Sequence, residues 1–354
     1  MKEVKTLNKA NNRVYYFDML RIFATFAVVL IHSSGAGWSD MSPSTFIWQI
    51  CNFFDGISRW CVPIFVMISG ALFLNKEPNI KKLFSKNILR IITAFIFWSV
   101  LYGVSTIFIY GKSVKLAVGE MIVGHYHLWF LFMIVGLYLA VPILKKITKD
   151  SKITNYFLIA SFIFAFVIPQ GVSFVSVFSE SVAASLNKIL DAVNFNIALG
   201  YTGYFVLGYV LSKAELTKKQ TKIIYCAGLL GFVSTIGLSV AFSVFKGKSV
   251  DVFYDYLSVT VLLESIGVFM FFKNMKLNIS EKTGVVLNKL SKYSFGVYLV
   301  HVLILEIVTD YLKFDLFRIN PIVSIPVFAL LLTVVSFAVS AVINHIPILK
   351  KYIV

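Results

Sequence analysis

The stretch FDMLRIFATFAVVLIHSSG, residues 17–35, decides how the chain is read. It is apolar and long enough to cross a bilayer, which takes about 20 residues of helix, yet it carries Asp18, Arg21 and His32. A lone Arg deep in lipid costs about 2.5–3.5 kcal/mol even on the mildest insertion scale. On a helix, eleven residues rotate by about three turns plus 20° and rise about 16 Å. Arg21 and His32 therefore share one face, with Asp18, Thr25 and Val28 on the same stripe, and are separated along the membrane normal. Two readings follow: a polar interior, or two side chains that snorkel to opposite headgroup layers.

The rest of the chain sets the class. Of 354 residues, 58% are hydrophobic, 16% aromatic and only 14% charged, whereas soluble domains carry about 25% charged residues. That composition points to an all-α, polytopic integral membrane protein. Apolar runs of spanning length fall at 15–33, 46–74, 88–110, 128–144, 153–169, 189–211, 223–245, 253–272, 291–312 and 322–346. Ten transmembrane helices are expected. The second run is long enough to tilt, or to begin as a re-entrant or interfacial segment. The first, flanked by Lys2, Lys5, Lys9 and Arg13, reads as an uncleaved span.

A net charge of +16 would suggest nucleic acid in a soluble protein, but its distribution argues otherwise. Basic clusters sit on alternate sides: Lys76, Lys81, Lys82 and Lys86, then Lys145, Lys146, Lys149 and Lys152. Lys213, Lys218, Lys219 and Lys222 follow, then Lys273, Lys276, Lys282 and Lys289, and finally Lys350 and Lys351. The intervening loops carry few basic residues, and 34–45 carries none. By the positive-inside rule this places both termini in the cytoplasm. The excess charge then meets anionic lipid headgroups, and no nucleic-acid partner is expected. Residues 1–354 read as a single membrane domain without a soluble extra domain, with connections 111–127 and 170–188 as candidates for shaping an entrance. Cys51, Cys61 and Cys226 lie in apolar runs as small core residues, and no metal site is expected.

Further polar groups recur inside the spans. In SRWCVPIFVMISGALFL, Arg59 shares a helical face with Asp55 and Asn52. In YSFGVYLVHVLIL, Ser294, Tyr298 and His301 fall on one face, and His125 and His127 precede the fourth span. Each alone reads as a packing or interfacial residue. Together they describe a polar interior reached from both sides.

These segments resemble the acyltransferase-3 family of integral membrane acyltransferases. Arg21 and His32 match its R-x10-H motif, and the likeness continues through KNILRIITAFIFW, HLWFLFMIVGLYLAVPIL, YFVLGYVLS and SKYSFGVYLVHVLIL in family order. The resemblance implies a multi-pass enzyme of a bacterial plasma membrane. It would transfer an acyl group, usually acetyl from acetyl-CoA, to a hydroxyl of a cell-envelope carbohydrate or lipid-linked glycan. It also implies that His32 is the essential histidine, Arg21 the essential basic residue and Arg90 the last arginine of an RxxR motif. That motif's first position is Asn87 here, with Lys86 beside it.

Chemistry fits these roles. Arginine recognises phosphate, so Arg21, Lys86 and Arg90 are candidate CoA-binding residues. Histidine is suited to take the acceptor's proton, so His32 is the candidate general base. An acyl-histidine route stays open beside it. Asp18 is placed to orient or neutralise Arg21 at i, i+3. Ser58, Arg59, His127, Tyr298 and His301 are candidate acceptor-binding residues. Neither GxSxG nor HExxH occurs, so serine-triad and zinc-protease chemistry have no motif support. A transporter or flippase of a lipid-linked sugar would use the same buried charges as substrate or proton sites, and the sequence leaves that reading open.

Overall fold

The computed structural model describes residues 14–193, 196–276 and 278–354. The basic residues Lys2, Lys5, Lys9 and Arg13 lie outside them. Among the described residues there is no β-strand. The helices are α1 (Tyr15–Asp40), α2 (Phe46–Gly56), α3 (Cys61–Leu74), α4 (Leu89–Tyr110), α5 (Val114–Val123), α6 (Trp129–Ile147) and α7 (Ser151–Phe178). They continue with α8 (Glu180–Val193), α9 (Asn196–Lys213), α10 (Lys218–Lys246), α11 (Val259–Asn274), α12 (Glu281–Glu306), α13 (Pro321–His345) and α14 (Pro347–Tyr352).

Among the described residues, eight helical stretches are long and apolar enough to cross a membrane. The runs at 189–211 and 253–272 are not among them. The run at 189–211 begins in α8, crosses 194–195, which lie outside the described residues, and continues in α9, of 18 residues; the run at 253–272 corresponds to α11, of 16. A 16-residue helix rises about 24 Å, short of the roughly 30 Å hydrocarbon core. The run at 253–272 loses its first residues to a turn. There the Tyr254 hydroxyl donates to Asn52 Oδ1 at 2.6 Å and Ser258 caps α11 by accepting from the Val261 N–H.

The second run is broken at Ile57–Trp60, which separates α2 from α3 and places Arg59 in the break. By contrast, α1 runs past the expected residue 33 to Asp40. The hydroxyls of Ser33, Ser34 and Ser39 fold back onto the carbonyls of Val29, Leu30 and Gly35 at 2.8, 3.0 and 3.1 Å. The helix therefore satisfies its own polar side chains, and the expected loop 34–45 shrinks to 41–45. The connection 111–127 holds α5, while 170–188 holds the end of α7 and the start of α8.

Close packing rests on glycines where helices meet. A Cβ on Gly70 would collide with the Phe205 backbone, and one on Gly208 with the Met67 backbone, so α3 and α9 approach through bare backbone. Gly228 of α10 faces Gly267 of α11 in the same way. Large side chains fill the interior, with Trp48, Trp98, Tyr102, Tyr204 and Phe205 fully buried. Exposed Phe108, Ile122, Leu229 and Val334 give the bundle an apolar exterior suited to lipid.

Tyr102 of α4 also ties its side chain into the backbone of α12. Its hydroxyl donates to the Leu299 carbonyl at 2.9 Å and accepts from the Leu303 N–H at 3.0 Å, inserting into the hydrogen-bond ladder of α12.

Candidate active site

Two cavities meet at α1. The first, of about 660 Å³, is lined by Arg21 and His32 of α1, and its wall therefore follows that helix for about three turns. One end is basic, with Lys86, Arg90, Lys292 and Lys350. Lys86 and Asn87 reach it from a π-helical turn, Leu83–Ile88, in which the Leu89 N–H donates back to the Phe84 carbonyl. Such wide turns recur at functional sites because they re-aim side chains relative to the helix that follows. Arg90 Nε donates to the Val354 carbonyl at 2.9 Å, and its guanidinium lies 5.4 Å from the Phe295 ring centroid. These contacts hold the charged plane at the cavity wall.

The middle of the cavity is aromatic, with Phe65, Phe130, Tyr138 and Phe295. Its far end holds His32, Tyr126, His127, Trp129 and Tyr298. Tyr298 donates to the His127 carbonyl at 2.6 Å, fixing the short turn Tyr126–Leu128 that precedes α6.

The second cavity, of about 540 Å³, has the opposite charge. Asp40, Asp55, Glu306, Asp310 and Asp315 line it, with Arg59 as the one lysine or arginine among the described residues there. Arg59 is ion-paired with Asp55 one helical turn earlier, donates to the Tyr254 carbonyl at 3.2 Å and lies 4.5 Å from that ring's centroid. Ile31, His32 and Tyr126 line both cavities. Across that shared wall, the Tyr126 hydroxyl is 3.5 Å from His32 Nδ1.

The residues singled out in the sequence divide accordingly. Arg21, His32, Lys86, Arg90, His127 and Tyr298 line the first cavity, and Arg59 lines the second with His32. Asp18 is buried in α1 and is not among the residues that line either cavity. Ser58 is also buried off the linings, and its hydroxyl donates to the Phe54 carbonyl at 2.8 Å. His301 is fully buried behind the wall, its ring centroid 5.1 Å from that of His32.

Several participants were not singled out as site residues. His125 Nε2 lies 3.0 Å from Glu306 Oε1, and its Nδ1 lies 3.1 Å from His127 Nδ1. Tyr126 had no sequence signal beyond sitting between two histidines. Glu306 had one, an acid inside a spanning run. Lys292 and Lys350 reach the basic end from helices remote in sequence, which spacing alone does not show.

A family model described as an acyltransferase domain matches residues 14–345, nearly the whole chain. The protein belongs to the acyltransferase-3 family and is a membrane acyltransferase. No curated protein and no solved structure matches the chain.

Proposed function

We propose that this enzyme moves an acyl group, most simply acetyl, from cytoplasmic acyl-CoA to a hydroxyl of a cell-envelope carbohydrate, with His32 as general base. The observation that carries this reading is that one imidazole borders two cavities of opposite charge. The basic end with Lys86, Arg90 and Lys292 suits the phosphates of CoA. The aromatic middle suits the thin pantetheine arm, which would bring the thioester past Arg21 to His32. The acceptor would enter through the acidic cavity, whose carboxylates disfavour a second polyanion.

At the junction, His32 takes the proton of the acceptor hydroxyl as its oxygen attacks the thioester carbonyl. The C–S bond then breaks, and the proton passes from His32 to the thiolate sulfur. With both termini in the cytoplasm of a bacterial plasma membrane, the arrangement would have a direction: donor from inside, acceptor from outside.

Purified enzyme in lipid nanodiscs with acetyl-labelled CoA tests the reading. Release of free CoA should require His32 and vanish in His32→Ala and His32→Gln variants that still elute as folded protein. Full activity in either variant excludes His32 as the base. Sugar flux without donor would instead favour a transporter.

A further inference from the structure

Ile353 and Val354, which follow α14, are buried in the main hydrophobic core. Lys350, one turn earlier, is exposed and lines the basic end of the first cavity. The N–H groups of Ile353 and Val354 both reach the Leu349 carbonyl, at 2.8 and 3.3 Å, so the buried end and Lys350 belong to one continuous turn. Whatever holds that end therefore also places Lys350.

A helix leaves its last four carbonyls without partners of its own, and buried carbonyls need donors. Here α4 supplies them. Thr93 Oγ1 lies 2.6 Å from the Tyr352 carbonyl, nearer than the two carbonyls of its own helix that it also approaches. Trp98 Nε1 donates to the Ile353 carbonyl at 3.1 Å, and Arg90 Nε donates to the Val354 carbonyl at 2.9 Å. Three successive carbonyls thus meet side chains of a single helix. Gly296 of α12 leaves room for them: a Cβ there would collide with Ser340 and stand 3.2 Å from Val354 Cγ1.

The same contacts settle two charges. Bonding through Nε fixes the plane of Arg90, so a phosphate would be met end-on by its two Nη groups. Core packing explains Ile353 and Val354, but not a lysine held beside Lys86, Arg90 and Lys292, which reach the same cavity from other elements. Four like charges repel, and gathering them is unfavourable unless an anion shares them.

We propose that residues 346–354 are a strap that completes the donor site. Lys350 binds a phosphate of the CoA nucleotide, and Trp98 is a positioning residue that holds Lys350 and Arg90 there through the strap's main chain. The strap reads the nucleotide, so it separates acyl-CoA from thioesters carried on pantetheine alone. It rests on the acyl-CoA reading, and adenosine 3′,5′-bisphosphate, a fragment of the CoA nucleotide, tests it without turnover.

Full-length protein in nanodiscs is titrated with the bisphosphate by calorimetry. Lys350→Gln should weaken binding about 5–10-fold. Trp98→Phe, which keeps an aromatic ring but loses the N–H, should weaken it about 2–10-fold. With acetyl-CoA, both variants should raise KM by similar factors at unchanged kcat. With acetyl-pantetheine, neither constant should move. A merely structural Trp98 would instead penalise both donors alike, and that result overturns its positioning role. Undiminished affinity in Lys350→Gln overturns the strap. Wild-type protein that binds neither the bisphosphate nor acetyl-CoA would sink the acyl-CoA reading, and the strap with it.

Discussion

His32 Nδ1 and the Tyr126 hydroxyl face each other at 3.5 Å on the wall shared by a basic and an acidic cavity. Under the proposed mechanism, an acceptor hydroxyl that gives its proton to His32 would lie beside this hydroxyl. Tyr126→Phe removes one neutral hydrogen-bonding group, worth about 0.5–1.5 kcal/mol. kcat/KM for the acceptor should fall roughly 2–10-fold, with KM for acetyl-CoA steady. Steady-state kinetics with each substrate varied in turn checks this.

The basic end predicts how the donor is read. Arg90→Ala should raise KM for acetyl-CoA by about tenfold, the loss of one charge-assisted contact. Lys86→Gln and Lys292→Gln should act in the same direction. Acetyl-pantetheine lacks the nucleotide phosphates, so its KM should be insensitive to all three. Equal penalties with both donors would place these residues elsewhere in the mechanism.

Arg59, part-buried in the break between α2 and α3, is ion-paired with the buried Asp55 at the end of α2. Asp55→Ala leaves the guanidinium uncompensated, at a cost of about 3–5 kcal/mol. The melting temperature in detergent should drop sharply, and the double variant Arg59→Met, Asp55→Leu should recover most of it. Additive losses in the double variant would show that the pair is not coupled.

Helix contacts give a contrast between glycines. Gly208→Ala puts a methyl group into the Met67 backbone and should cost about 1–3 kcal/mol. Gly136→Ala meets nothing within 4 Å and sits within α6. It should be neutral or stabilising by up to about 1 kcal/mol. Thermal unfolding of both variants in one detergent settles the comparison.

Much of this was legible in the sequence, for physical reasons. Hydropathy sets the span pattern because lipid leaves backbone groups no partner but the helix itself. The spacing of Arg21 and His32 fixes their common face, and both line one cavity. What spacing could not show is which helices meet. His125 and His127 are neighbours in one segment, but Glu306 lies far along the chain and is joined to them only by tertiary packing. Nor did apolarity reveal the break at Ile57–Trp60, since SRW is flanked by residues that suit a continuous span.

The Tyr102 hydroxyl between Leu299 and Leu303 makes one helix a rung in the ladder of another. Sliding α4 against α12 would break both hydrogen bonds between the Tyr102 hydroxyl and the α12 main chain. Any opening that admits or releases a substrate must therefore carry these two helices together as one lever, with the give falling on the segments that face them.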